Sequence, residues 1–252
     1  MSRIAADVVA EGERLLGRAV QEGVVLRLLG GVAICLRAEN GLPAVFERRY
    51  ADLDFVTSRG GTGGVVSLFR AEGYEPHVAF NALHGNERLL FFDEEHGRQV
   101  DVFVGAFRMS HAIPLGDRLG LEPVTLPLAE LLLTKLQIAE LNEKDVGDAL
   151  ALLHGHPVGE EDGASVNAAR IAELCAADWG LWRTFTGNLA ACHERLGRYD
   201  LPEAERREIA TRIAAVAERV EREPKSRGWR LRARIGERKR WYETPEEVAG
   251  GP

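Results

Sequence analysis

Asp52-Leu53-Asp54-Phe55-Val56 alternates acid and apolar residues with period two. On a β-strand that period puts Asp52 and Asp54 on one face and Leu53 and Phe55 on the other, towards a core. Two carboxylates at that spacing repel each other unless a cation lies between them. A third acid, Asp101, sits inside the apolar run Val100-Asp101-Val102. If its strand neighbours the first, three carboxylates converge. An oxygen-only set of this kind suits Mg²⁺ or Mn²⁺, with places left for water and phosphate oxygens. Alone, an Asp-x-Asp pair can be plain solvent-facing alternation. The reading rests on what precedes and follows it.

Upstream, Val24 to Leu29 reads as a short strand running into Gly30-Gly31, with an apolar helix from Val32 to Arg37 behind it. A glycine pair at a strand-to-helix junction lets a phosphate approach backbone N–H groups, and a helix N-terminus favours its negative charge. A turn follows at Glu39-Asn40-Gly41-Leu42-Pro43, and Arg49 closes the approach to Asp52. Downstream, Val65 to Glu72 reads as a helix, Val78-Ala79-Phe80 as a strand, and Arg88–Phe92 with Gln99–Val104 as an antiparallel hairpin turning at Asp93-Glu94-Glu95-His96-Gly97. Pro127 suits the first position of a helix over Leu128–Leu141. A second helix runs from Lys144 to Leu153, then a polar linker, then helical periodicity over 202–221 and 226–240. The fold class is therefore α/β (α+β): a mixed sheet flanked by helices over residues 1–126, followed by a helical domain over 127–252.

In order, Leu29-Gly30-Gly31, then Asp52-Leu53-Asp54, then Asp101 resembles the nucleotidyltransferase superfamily typified by DNA polymerase β. Thr134-Lys135-Leu136 with Glu143-Lys144-Asp145-Val146-Gly147-Asp148 is similar to the helical motifs of its stand-alone bacterial branch, which contains abortive-infection toxins and antibiotic nucleotidyltransferases. The resemblance covers residues 26 to about 153. It implies a metal-dependent transfer of an NMP from an NTP such as ATP to a hydroxyl acceptor, with pyrophosphate released. The acceptor would be RNA or tRNA, a protein side chain or a small molecule. Asp52, Asp54 and Asp101 would be the catalytic, Mg²⁺- or Mn²⁺-holding acids, and Gly30, Gly31, Arg49 and Lys135 the nucleotide-binding residues. The stretch between Gly31 and Asp52 is longer than the family's, the excess being Asn40 to Phe46. A rival is a catalytically silent relative that binds nucleotide or nucleic acid as a regulatory module. Read without the resemblance, Lys144 and Asp148, four apart, make a simple helix salt bridge.

The 252 residues, 45% hydrophobic and 28% charged, are ordinary for a globular chain and ample for a core. Three separated cysteines, Cys35, Cys175 and Cys192, without a CxxC argue against a disulfide framework or a zinc ribbon. Arg59 to Gly64 lacks the Gly-Lys-Ser/Thr ending of a Walker loop. His154-Gly155-His156, without a third ligand nearby, reads as a helix end rather than a metal site. Acidic residues follow the N-terminus closely and no apolar run is long enough to span a membrane, so a cytoplasmic protein without membrane contact is expected. Net charge is −7, yet residues 222–240 carry a local +7. Basic residues there interleave with Trp229, and Trp241 and Tyr242 follow, a pattern of single-stranded nucleic-acid binding or of a solvated final helix whose arginine stems cover apolar surface.

Overall fold

The computed structural model describes residues 4–38 and 41–244, so Glu39 and Asn40 of the expected turn lie outside the described residues. Helix α1 (Val8–Gln21) starts at Asp7, whose side chain accepts from the Ala10 N–H, and buries Leu15, Leu16 and Ala19. Strand β1 (Arg27–Leu29) passes directly into α2 (Gly30–Arg37). Strand β2 (Asp52–Thr57), α3 (Thr62–Ala71), β3 (Glu75–Pro76), α4 (Val78–His84), β4 (Arg88–Asp93) and β5 (Arg98–Val104) follow. A small hairpin, β6 (Ala106–Arg108) with β7 (Ala112–Pro114), was not foreseen from the sequence. The rest is mainly helical: α5 (Leu128–Leu136), α6 (Glu143–Gly155), a β8–β9 pair (Val158–Gly159, Val166–Asn167), α7 (Ala168–Ala177), α8 (Trp179–Arg195), α9 (Glu203–Arg222) and α10 (Arg227–Ile235).

The five long-range strands form one mixed sheet in the order β1-β2-β5-β4-β3. Only β2 and β5 run parallel, as a pair whose connection crosses through α3, β3, α4 and β4. The β4–β5 hairpin turns where the sequence placed it, with Asp93 opposite Arg98. Leu53, Phe55, Val100 and Val102 are fully buried on the face of β2 and β5 away from the acids. There Phe55 meets Phe69 of α3 edge-on, and Phe69 stacks on Phe91 of β4 at 4.6 Å.

Three expectations shift. Val78-Ala79-Phe80 is the first turn of α4, not a strand: His77 Nδ1 accepts from the Phe80 N–H, and the Asn81 amide bonds both N–H and C=O of Leu90, tying the helix to β4. Three residues are too few for periodicity to separate the two states. Helix α5 stops at Leu136 rather than Leu141, because Asn188 of α8 donates to the carbonyls of Leu136 and Ile138 (3.0 and 2.7 Å) and takes the acceptors that a continuing helix needs. Pro127 is the residue before that helix, with φ −58° and ψ 157°, and not its first residue.

The chain around residue 126 is bound to the sheet. Leu28 of β1 donates to Val124 O and accepts from Leu126 N, both at 2.9 Å. One apolar cluster extends from Leu15 through the sheet to Val220 of α9, crossing the boundary read at 126. Among the described residues no helix is long and apolar enough to cross a membrane. Phe55 closes the core directly behind the acids, so Phe55→Ala is expected to cost about 3–5 kcal/mol, read by denaturant titration.

Candidate functional site

Asp54 is the centre of the site because of its three neighbours in the sheet and the turn. In the parallel register Asp54 stands opposite Asp101, and Asp52 opposite Gln99. On its other side Asp54 is opposite Leu29, the residue before Gly30. Gly30 has φ +72°, and a Cβ on it would overlap Asp54 Oδ2. Only glycine satisfies both conditions at once. Gly31 is equally confined: a Cβ there would run into the Arg48 guanidinium and lie 2.9 Å from Tyr50 Cε1. Helix α2 thus begins against the acids, with no side chain capping its first N–H groups and no acid in its first turn.

The carboxylates crowd each other. Burial, with Asp101 and then Asp52 adding repulsion, pushes the Asp54 carboxyl up to about 8, although Lys135 and Arg88 pull the other way. Asp52 is exposed at the start of β2. Asp101 is buried and engaged on both oxygens: Arg88 Nε donates to Oδ1 at 2.6 Å and Gln99 Nε2 to Oδ2 at 2.8 Å. Arg88 reaches it diagonally across the hairpin, two pairs along from its own partner Phe103, whose ring it covers at 5.3 Å.

Beyond Asp54 lies a charged network from three elements. Asp148 of α6 receives a bidentate pair from Arg48 (Nε 2.9 Å, Nη2 2.7 Å). Its Oδ2 also meets Lys135 Nζ of α5 at 2.8 Å, and Asp145 Oδ1 is 3.3 Å from the same ammonium. Burial works against both charges. Asp148 and Asp145 nonetheless hold the Lys135 pKa above its ordinary value, and Arg48 and Lys135 hold the Asp148 carboxyl below its own. Arg48 also lies over the Tyr50 ring at 4.6 Å. The segment read as an excess before Asp52 delivers this arginine: Phe46 packs on His154 of α6 and on Tyr199, which anchors the chain two residues upstream.

The structure brings together Gly30, Gly31, Asp54, Asp101 and Lys135. It leaves Arg49 exposed, with Arg48 turned inward in its place. Arg48 precedes β2, and its bidentate pair with Asp148 is what holds it inward. Lys144 is exposed, and Asp148 pairs with Lys135 and Arg48 rather than across its own helix. Arg88 and Gln99 were missed altogether. His154 pairs with Glu205 at 2.8 Å, as a helix end would.

The donors at Asp52 and Asp54 are oxygen only, and the raised Asp54 pKa comes first from burial and then from the repulsion of Asp101 and Asp52, both of which a hard divalent cation offsets, so these two residues fit one in chemistry. The threefold convergence expected of Asp52, Asp54 and Asp101 is incomplete. Among the described residues no group of three or more His, Cys, Asp and Glu is arranged to hold a metal ion. Asp101 is instead taken up by Arg88 and Gln99, one on each oxygen. No family model matches the chain, and neither a curated protein nor a solved structure matches it.

Two outcomes follow from this geometry. Gly30→Ala strains the left-handed backbone and displaces Asp54, and is expected to lower stability by about 1–2 kcal/mol in a thermal melt. Asp54 binds a proton in the folded state over a range where the unfolded chain has lost it. Its contribution to stability therefore falls as pH rises from the ordinary carboxylate range towards 8. Asp54→Asn should raise Tm at pH 8 and leave it nearly unchanged at pH 4, read by thermal melts at the two pH values.

Proposed function

We propose that this chain is a nucleotidyltransferase of the DNA polymerase β-like superfamily, moving an NMP from an NTP to a hydroxyl acceptor with release of pyrophosphate. The observation that carries the reading is the register of β2 and β5. It sets Asp54 opposite Asp101 and on the same face as Asp52, where α2 begins at Gly30-Gly31 without a cap.

Each residue has a task in that reaction. Uncapped N–H groups at the start of α2 receive phosphate oxygens, since a helix N-terminus favours an anion there. Lys135, kept charged by Asp148 and Asp145, faces Asp54 and offsets triphosphate charge. Arg48, clamped by Asp148 and resting on Tyr50, keeps the network rigid beside the glycine pair. Asp52 and Asp54 would hold a Mg²⁺ or Mn²⁺ ion, which when bound supplies charge stabilisation on the phosphoryl group and a lower pKa for the acceptor hydroxyl. With such an ion held there, Asp54 would be ionised, its proton having passed to solvent. Asp101, released from Arg88, accepts the hydroxyl proton. The acceptor oxygen then bonds to the α-phosphorus as the α–β bridging P–O bond breaks, and pyrophosphate leaves with the electron pair.

A specific observation favours a second reading. Arg88 and Gln99 already occupy both oxygens of Asp101. A relative that binds nucleotide as a regulatory module without turning it over would keep this arrangement permanently.

One assay separates them. The protein is incubated with each labelled NTP, Mg²⁺ or Mn²⁺, and total RNA or lysate. Transfer of label and release of pyrophosphate are expected, and Asp54→Asn should reduce both by at least about 100-fold. Undiminished labelling in that variant removes the mechanism. Metal-independent NTP binding in calorimetry, with no pyrophosphate, establishes the silent relative.

A further inference from the structure

Among the described residues outside the C-terminal stretch, most arginines are paired. On α9 alone, Arg206, Arg212, Arg219 and Arg222 each meet a glutamate. The C-terminal stretch differs. Arg227, Arg230, Arg234, Arg238 and Lys239 are exposed, and their side chains make no hydrogen bond or ion pair among the described residues. Five unpaired cations therefore lie close together in a protein with an acid excess of seven.

Helical spacing explains how they are displayed. On α10 Arg227, Arg230 and Arg234 recur at intervals of three and four and share one face with Leu231 (65% exposed) and Ile235 (44% exposed). The opposite face fixes the helix in place. Trp229 meets Trp182 edge-on at 5.1 Å, and Arg232 lies over Trp179 at 4.6 Å while donating to the Gly236 and Lys239 carbonyls. Ser226 caps the helix and its N–H bonds Ala176 O of α7. The orientation of the cationic face is thus built, not incidental.

The segment that leaves this helix runs to a cleft beside Arg88. Trp241 Nε1 donates to Thr184 Oγ1 at 3.1 Å, and Glu243 N to Ser110 O at 3.0 Å. Glu243 and Thr244 then wall a cleft of about 380 Å³ together with Phe80, Arg88 and Arg108. Arg88 is the residue that holds Asp101. One continuous stretch of chain therefore runs from the unpaired cations to the cleft that Arg88 lines.

We propose that the outward face of α10, with Arg238 and Lys239, is a docking surface for the phosphodiester backbone of single-stranded RNA, whose end enters the cleft beside Arg88. The entry of that end as an acceptor rests on the nucleotidyl-transfer reading; the docking itself does not. Charge complementarity selects the occupant, because outside residues 222–240 the chain carries −14 and repels a polyanion, which confines contact to this face. No aromatic side chain lies on the outward face, so backbone contacts indifferent to sequence are expected. An anionic membrane is the weaker occupant, since two aliphatic side chains among the cations offer little apolar area for insertion.

The test measures fluorescence anisotropy of a labelled oligouridylate against salt concentration. It compares the full chain with the Arg227→Glu, Arg230→Glu, Arg234→Glu triple variant and with the milder triple Gln variant, each checked by thermal melt. The charge-reversed variant should bind at least about tenfold more weakly at low salt. Losing three phosphate contacts should lower the slope of log affinity against log salt by about 2. Unchanged affinity and slope in both variants overturn the proposal. So does binding to phosphatidylserine vesicles that exceeds binding to RNA and vanishes in the variants. Calorimetry with Mn²⁺ and a non-hydrolysable NTP analogue runs in parallel. Nucleotide binding retained in the variants, with RNA binding lost, supports the surface. Strip-dependent RNA binding without any nucleotide binding in the unaltered chain sustains the surface and removes the transferase reading alone.

Discussion

The parallel pairing of β2 with β5 is the constraint on which the rest of the site depends. It is the one parallel strand pair in an otherwise antiparallel sheet, and it brings acids 47 residues apart in sequence side by side. A shift of one residue would turn Asp101 into the core and Val100 or Val102 out beside Asp54. The apolar face prevents that shift. Leu53, Phe55, Val100 and Val102 are all fully buried, so the hydrophobic effect fixes the register and the register brings the carboxylates together. Their mutual repulsion is an electrostatic cost that this packing sustains, as sites poised to receive charge commonly do.

Asp148 has the complementary role. A single buried carboxylate collects Arg48 from the approach to β2 and Lys135 from α5, while itself belonging to α6. Three chain segments are joined by charge-assisted hydrogen bonds in partial burial, where such bonds are strong and loss of one partner is costly. The consequence for the site is placement: Lys135 cannot leave the neighbourhood of Asp54 without breaking contact with two aspartates.

Much of this was legible in the sequence because it depends on local pattern. The alternation in Asp52-Leu53-Asp54-Phe55, the glycine pair after a strand and the turn at Asp93–Gly97 each have a near-neighbour cause, and the mixed sheet with helices at the C-terminal end follows from them. What could not be read depends on partners distant in sequence. Arg48 rather than Arg49 is turned inward because Asp148, 100 residues along the chain, holds its guanidinium. The grip of Arg88 on Asp101 follows from hairpin register, since a turn centred between Asp93 and Arg98 pairs Leu90 with Asp101 and brings residue 88 onto its diagonal. The early end of α5 is set by Asn188, far along the chain. Val78-Ala79-Phe80 was misread because a three-residue window carries no period.

The short bond pair between Leu28 and the Val124–Leu126 segment has a mechanical meaning. It fastens the entry to α5 alongside β1, immediately before the Gly30 turn, and the apolar core continues across the junction without a break. Such a seam ties the helical half to the sheet beside the Gly30 turn. Under the proposed nucleotidyl transfer, freeing Asp101 then falls to side chains changing partners, with the guanidinium of Arg88 as the bolt that has to slide.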